Sequence, residues 1–306
     1  MKKVVLLLIL LLLTGCNNNY YSTNLFYMDT VINIKIYNAK QEKVEKAFKE
    51  IESIYQKYDN LTDFYDQNSE LSKLNNNVNI NISDELWQLI KFGDEWYDKS
   101  NGLLNINIGA LTKVWHDFRE NHTELPDVKN IVIERLNIVD DRITNDNVNI
   151  DLGAIAKGYV TQIVGEYLKN QGLEYYIINA GGNVLVGKSP KGYYNIGIAS
   201  PISDETFEII KGENISVVTS GGYERFYQYN GNLYHHIIDP NTKYPANYMK
   251  SVTVIGKDSG LCDALSTTLF LMDIESGKEF IRDYDVDVIW FTNDDEIIKS
   301  DGFRYE

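Results

Sequence analysis

Between Val44 and Leu271 the apolar pattern of the chain keeps changing period, from helical spacing to short β-type runs, and never settles into strand–helix alternation. That mixture limits the folds available more than any other feature. Val44, Ala47, Phe48, Ile51, Ile54, Tyr55 and Tyr58 recur at three- and four-residue spacing, which predicts an amphipathic helix. Ser83 is placed to cap a second, with Leu86, Leu89, Ile90, Gly93, Trp96 and Tyr97 on one face. Ile155, Tyr159, Val160, Ile163, Val164, Tyr167 and Leu168 mark a third. Strand signals lie after them: 175–178 and 184–186 flank Ala180-Gly181-Gly182, and 226–229 and 233–238 flank Asn230-Gly231, a preferred hairpin turn. Residues 251–255 read as another strand, followed by a helix through Ala264, Leu265, Thr268, Leu269 and Leu271. Without regular βαβ units, the expectation is one α+β domain with largely antiparallel sheets packed against helices.

The first sixteen residues read differently. Lys2 and Lys3 precede an unbroken apolar run, 4–13, about half of the ~20 residues a membrane-spanning helix needs. Leu13-Thr14-Gly15-Cys16 then has the form of a lipoprotein cleavage site. On this reading 1–15 are a signal peptide, Cys16 carries the lipid, 16–24 are a tether and 25–306 are the domain. The expected location is the cell membrane, lipid-anchored on its extracytoplasmic face, because two or more acyl chains anchor stably. The plainer alternative is an ordinary secretory signal with an incidental cysteine. After cleavage only Cys262 remains besides Cys16, so no disulfide within the domain is possible and stability rests on the core.

The formal charge of −15, without a basic stripe, argues against nucleic acid as a partner. It also means that a phosphate-bearing ligand needs local lysines, helix N-termini or a metal to offset the protein's own field. Two segments could meet that need, and a third offers a base. Asp151-Leu-Gly-Ala-Ile-Ala-Lys-Gly158 follows a short expected strand, 148–150, and enters the third helix, a turn that offers N–H groups and Lys157 to an anion. Taken alone it is a plain helix start with Asp151 as cap and Lys157 solvated. Asp263 and Thr267 are four apart on one helix, a hard-oxygen pair suited to Mg²⁺. Taken alone, they are an acid near a helix start and an ordinary threonine. His235 and His236 end the Asn-Gly hairpin, where strand alternation would point them to opposite faces, leaving one as a possible base and the other as a structural histidine.

In their order these segments resemble the ApbE-like FAD:protein FMN transferases, formerly called thiamine-biosynthesis lipoproteins. The likeness runs from Met28-Asp-Thr30 through Tyr65-Asp-Gln-Asn-Ser-Glu-Leu-Ser72, Gly102-Leu-Leu-Asn-Ile-Asn-Ile-Gly109 and the Asp151–Gly158 box. It continues through Thr219-Ser-Gly-Gly-Tyr-Glu-Arg225, His236-Ile-Ile-Asp-Pro240 and Cys262-Asp-Ala-Leu-Ser-Thr267. The resemblance implies an Mg²⁺-dependent transfer of FMN from FAD to a threonine or serine of a separate exported acceptor protein, with AMP released. It implies FAD contacts at Met28, Tyr65, Leu104, Asn105, Ile106, Asp151, Lys157 and Ile238. Mg²⁺ ligands would be Asp263, Thr267 and the Ala154 carbonyl, with His236 and Asp263 as the catalytic pair. Asn105 stands where the family usually has Asp, and Ala154 where it usually has a second Gly. Competing readings are a metal-dependent FAD pyrophosphatase, a non-catalytic FAD-binding lipoprotein and a solute-binding lipoprotein, the last leaving the ordered motifs unexplained.

Overall fold

The computed structural model describes residues 20–76, 80–122 and 124–305. Cys16 and the expected signal segment lie outside them. The chain opens with a hairpin, β1 (Tyr20–Tyr27) and β2 (Thr30–Tyr37), so residues 20–24, expected as tether, are instead the first half of a sheet strand. In β2 the alternation Ile32, Ile34, Ile36 buries three side chains completely on one face. Each such burial is worth about 1.5–3 kcal/mol, which fixes the register, since a one-residue slip would expose all three.

Helices follow: α1 (Gln41–Thr62), α2 (Glu70–Asn76), α3 (Asp84–Lys99) and α4 (Gly109–Asn121). Helix α1 buries Val44, Ala47, Ile51, Tyr55 and Tyr58, the stripe its spacing predicts. Ser83 caps α3 as expected, its Oγ accepting the Leu86 N–H at 3.3 Å. A short pair, β3 (Ile138–Val139) and β4 (Arg142–Ile143), leads to α5 (Ala156–Asn170).

The second half is mostly strands. They are β5 (Tyr176–Ala180), β6 (Asn183–Val186), β7 (Tyr194–Ala199), β8 (Thr206–Gly212), β9 (Ile215–Gly221), β10 (Phe226–Tyr229), β11 (Asn232–His235) and β12 (Met249–Gly256). Helices α6 (Ser259–Phe270) and α7 (Ile274–Phe280) precede β13 (Asp287–Thr292) and β14 (Ile297–Lys299). Eight strands form one sheet in the order β1-β2-β5-β6-β9-β12-β13-β14, every pair antiparallel. The helices pack their apolar faces on one side of it, in a core that holds Trp96, Trp290, Tyr55 and Phe270. The β7–β8 hairpin covers part of the other side through Ile196, Ile198 and Ile210. A third cluster joins α4 to the β10–β11 hairpin through Trp115, Phe118, Tyr227 and Tyr234, with Ile238 beside them. The expected α+β class and antiparallel sheet are what the chain adopts.

Candidate active site

The expected strand at 148–150 does not form; the segment is extended but belongs to no ladder. It is tied instead to the loop before α4. Asn149 accepts the Gly109 N–H at 2.7 Å, and Asp151 donates its N–H to the Ile106 carbonyl at 2.8 Å. Asp151 is not the cap of α5, since Ile155 holds that position and contributes no side-chain bond. Its carboxylate closes a local turn on the Gly153 N–H (2.8 Å) and accepts the Thr112 hydroxyl (2.7 Å). Asp151 thereby fixes the shape of the turn that carries Ala154 and Lys157.

The acceptor that α5 lacks locally comes from α6. Asp263 Oδ2 accepts the Gly158 N–H at 2.7 Å, placing a buried carboxylate at the positive end of α5. Such an approach requires glycine. A Cβ at Gly158 would lie 2.3 Å from the Asp263 Cβ and 2.5 Å from the Ser259 carbonyl oxygen. Burial pushes the Asp263 carboxyl up, while Lys157 and the Gly158 N–H act against that. One turn on, Thr267 Oγ1 is 3.5 Å from the Ala154 carbonyl oxygen and 3.4 Å from Ser220 Oγ. The α5–α6 junction therefore gathers a carboxylate, a hydroxyl and a carbonyl, all hard oxygens with one formal charge among them. That set fits Mg²⁺, which completes its shell with waters and substrate phosphate oxygens. Among the described residues no group of three His, Cys, Asp or Glu could hold a metal, so a nitrogen- or sulfur-rich site is absent there.

The two histidines differ more sharply than alternation predicts. Strand β11 ends at His235, so His236 lies beyond the ladder that was expected to reach Ile238. Ile238 makes only an isolated bridge with Pro245. His235 is buried and fully used. Its Nε2 lies 2.7 Å from the Ala246 carbonyl and its Nδ1 accepts the Ile237 N–H at 3.2 Å, which fixes a neutral tautomer with the proton on Nε2. Burial holds its pKa down at about 4. His236 Nδ1 is buried without a partner. Burial first, then the charge of Lys157, holds His236 at about 3. A negative charge placed next to this neutral ring would raise its basicity.

Tyr65, nearly half exposed, stacks on His116 with ring centroids 4.2 Å apart, and its hydroxyl is pushed up by burial and by the charge of Asp151. Met28 and Asp29 adopt left-handed backbone in the β1–β2 turn, and the Met28 N–H donates to Asp59 Oδ1 at 2.6 Å. Arg225 donates to the Asp29 carbonyl at 3.2 Å, which ties that turn to the segment before β10. Leu104, Ile106 and Ile238 bury their side chains in the core, so only their backbone could meet a ligand. Asn105 is also buried, its Oδ1 accepting the Asn107 N–H at 2.9 Å. Sequence reasoning did not find Gly158, Thr112, Asp59, Arg119 or Asn183. Asn183 accepts the Ser259 hydroxyl at 2.6 Å and leaves its amide nitrogen unpaired. Only the glycine carried a readable signal, as the last residue of the Asp151–Gly158 box.

Fold and site together define a single-domain α+β protein with a hard-oxygen cluster and a lysine at a helix N-terminus. The chain belongs to the ApbE family, which it matches over residues 28–290. It is 32% identical to the FAD:protein FMN transferase of Klebsiella pneumoniae (strain 342), across 93% of each chain. It is 30% identical to the Vibrio cholerae FAD:protein FMN transferase, across 90% of this chain and 87% of that one. In structure it resembles the ApbE protein of Thermotoga maritima, with a TM-score of 0.84 and 26% identity over 92% of this chain and 97% of that one. The flavin transferase ApbE from Vibrio cholerae superposes with a TM-score of 0.78 and 26% identity, over 93% and 98% of the two chains.

Proposed function

We propose that this chain is a lipid-anchored, Mg²⁺-dependent FAD:protein FMN transferase that moves FMN to a threonine or serine hydroxyl of an exported acceptor. The observation that carries the reading is the meeting, at the start of α5, of Lys157 and the Asp263–Thr267–Ala154 oxygens, with the charge of Lys157 felt at His236, whose Nδ1 has no partner. The relatives' names supply the reaction class, and the Leu13–Cys16 pattern supplies the anchor.

FAD brings two phosphate charges into the field of a protein whose net charge is −15, so binding needs local positive potential. Lys157 and the α5 N-terminus provide it. Asp263, Thr267 and the Ala154 carbonyl would hold Mg²⁺, which when bound supplies charge neutralisation on the diphosphate. His236 takes the proton of the acceptor hydroxyl. That oxygen bonds to the phosphorus on the riboflavin side, the bond from this phosphorus to the bridging oxygen breaks, and AMP leaves with the bridging oxygen. The diphosphate charge next to His236 raises its basicity from the low value that burial and Lys157 impose.

The direct test is incubation of the soluble mature domain with FAD, Mg²⁺ and candidate exported acceptors. An FMN-sized mass addition on a threonine or serine, with equal AMP, is the expected result. AMP and free FMN without any protein adduct would make it an FAD pyrophosphatase. Tight FAD binding without AMP would make it a flavin carrier.

A further inference from the structure

Lys157 is not the only cation beside His236. Among the described residues, no ion pair involves Lys157, Arg119 or Arg225, although these chain positions sit in a strongly acidic protein. Arg119, half-buried on α4, reaches the carbonyl oxygen of His235 through Nη1 at 3.5 Å. Arg225 spends one N–H on the carbonyl of Asp29. Phe226 pairs with His235 at the last rung of the β10–β11 ladder, and Arg225 and His236 are the residues next beyond that rung on the two segments. The segment carrying Arg225 is also pressed against the histidine pair: a Cβ at Gly222 would lie 2.6 Å from His235 Cδ2.

Both guanidiniums are near enough to His236 to disfavour its protonation, and Arg225 acts in the same direction on Arg119, whose own charge burial already disfavours. The two guanidiniums repel one another, Tyr65 and Glu120 offset part of the cost at Arg119 and Glu224 part at Arg225, and an anion entering between them would relieve the rest. Glu224 does not fill that role. It forms no ion pair, its Oε1 stands next to Gly182, and burial pushes its carboxyl up while Lys157 and Arg225 act against that. A guanidinium offers phosphate two parallel N–H donors, which a lysine cannot.

We propose that Arg119 and Arg225 form a phosphate subsite beside His236 that receives the FMN phosphoryl group during its transfer, distinct from Lys157 and the Asp263–Thr267 oxygens. The inference rests on the transferase reading. It assigns the two arginines to the phosphorus under attack, whose non-bridging oxygens gain charge as the acceptor oxygen bonds and the AMP oxygen leaves.

The test compares FMN with riboflavin, ligands that differ by that phosphate alone, by flavin fluorescence titration of the full mature chain. Wild type should bind FMN more tightly than riboflavin. Arg119→Gln and Arg225→Gln should each weaken FMN roughly tenfold, and the double variant up to roughly a hundredfold, with riboflavin affinity unchanged. Arg119→Lys should recover part of the loss. Equal weakening of riboflavin would overturn the proposal, because the arginines would then be shaping the flavin pocket or the fold. Unchanged FMN affinity with a raised KM for the acceptor protein would overturn it too, assigning the pair to an acceptor carboxylate. If wild type releases no AMP from FAD, the transferase reading fails on its own, while the FMN-against-riboflavin comparison still decides whether the arginines bind this phosphate.

Discussion

His235 and His236 are neighbours with opposite fates, and the difference lies in hydrogen bonds that the sequence does not display. Both ring nitrogens of His235 are occupied, whereas one nitrogen of His236 is buried and unpaired. Replacing His236 by Ala should cut AMP release and FMN transfer by roughly 10²–10⁴-fold while FAD still binds, the usual loss on removing a general base. His235→Ala should act mainly on stability, through the orphaned Ala246 carbonyl and Ile237 N–H; steady-state rates and denaturant titrations on both variants check the pair. A larger rate loss for His235 would exchange the roles. His235 also makes a pH prediction. Its folded pKa, about 4, lies below the 6.5 of a free histidine because burial disfavours the charged ring. Between those values the unfolded chain binds the extra proton, so stability rises with pH. The contribution is complete above pH 6.5 and disappears as pH falls through 6.5 toward 4, on the order of 3 kcal/mol in all. Urea midpoints measured from pH 7 to pH 4 should fall for wild type, and less steeply for His235→Gln.

At the scale of elements, the decisive contact is the crossing of α5 and α6. Gly158 lets the helices approach until the Asp263 carboxylate reaches the first turn of α5. Gly158→Ala forces a Cβ into the Asp263 side chain and the Ser259 backbone, an overpacking that should cost about 1–3 kcal/mol. It should also shift Asp263, so the Mg²⁺ concentration for half-maximal activity should rise along with the drop in melting temperature. Normal metal dependence in a destabilised variant would mean the two helices part without moving the carboxylate. Asp263→Ala should abolish AMP release from FAD; full activity in that variant, or in excess chelator, would refute the metal assignment. The Asp151–Gly158 box was legible as a turn into a helix with a lysine in its first turn, though not as the end of a strand, since 148–150 joins no ladder. That Asp151 would spend its carboxylate on Gly153 and Thr112, and that Asp263 would supply the missing cap, was not. Thr112 and Asp263 are 39 and 105 residues from their partners in the chain, and no local pattern encodes such distances.

For the whole molecule, the first prediction concerns where it resides. Cys16→Ser should release the protein from membranes into the soluble fraction, detected by fractionation and blotting. A variant that stays attached after its signal segment has been removed would refute the lipid anchor. The sequence by itself determined the α+β class, the three long amphipathic helices, the Asn230-Gly231 hairpin and the order of the chemistry-bearing segments. Those are local properties: periodicity, capping residues and turn preferences act over a few residues and survive in a one-dimensional reading. Tertiary structure alone decided that eight strands make one antiparallel sheet, that β1 begins at Tyr20, that β11 stops at His235 and that Leu104, Ile106 and Ile238 turn their side chains into the core. It alone brought Arg119 to the histidine pair, from 116 residues earlier in the chain. The physical reason is the same in each case: burial and pairing are settled between segments distant in sequence, by which polar groups find partners and which are left for a ligand.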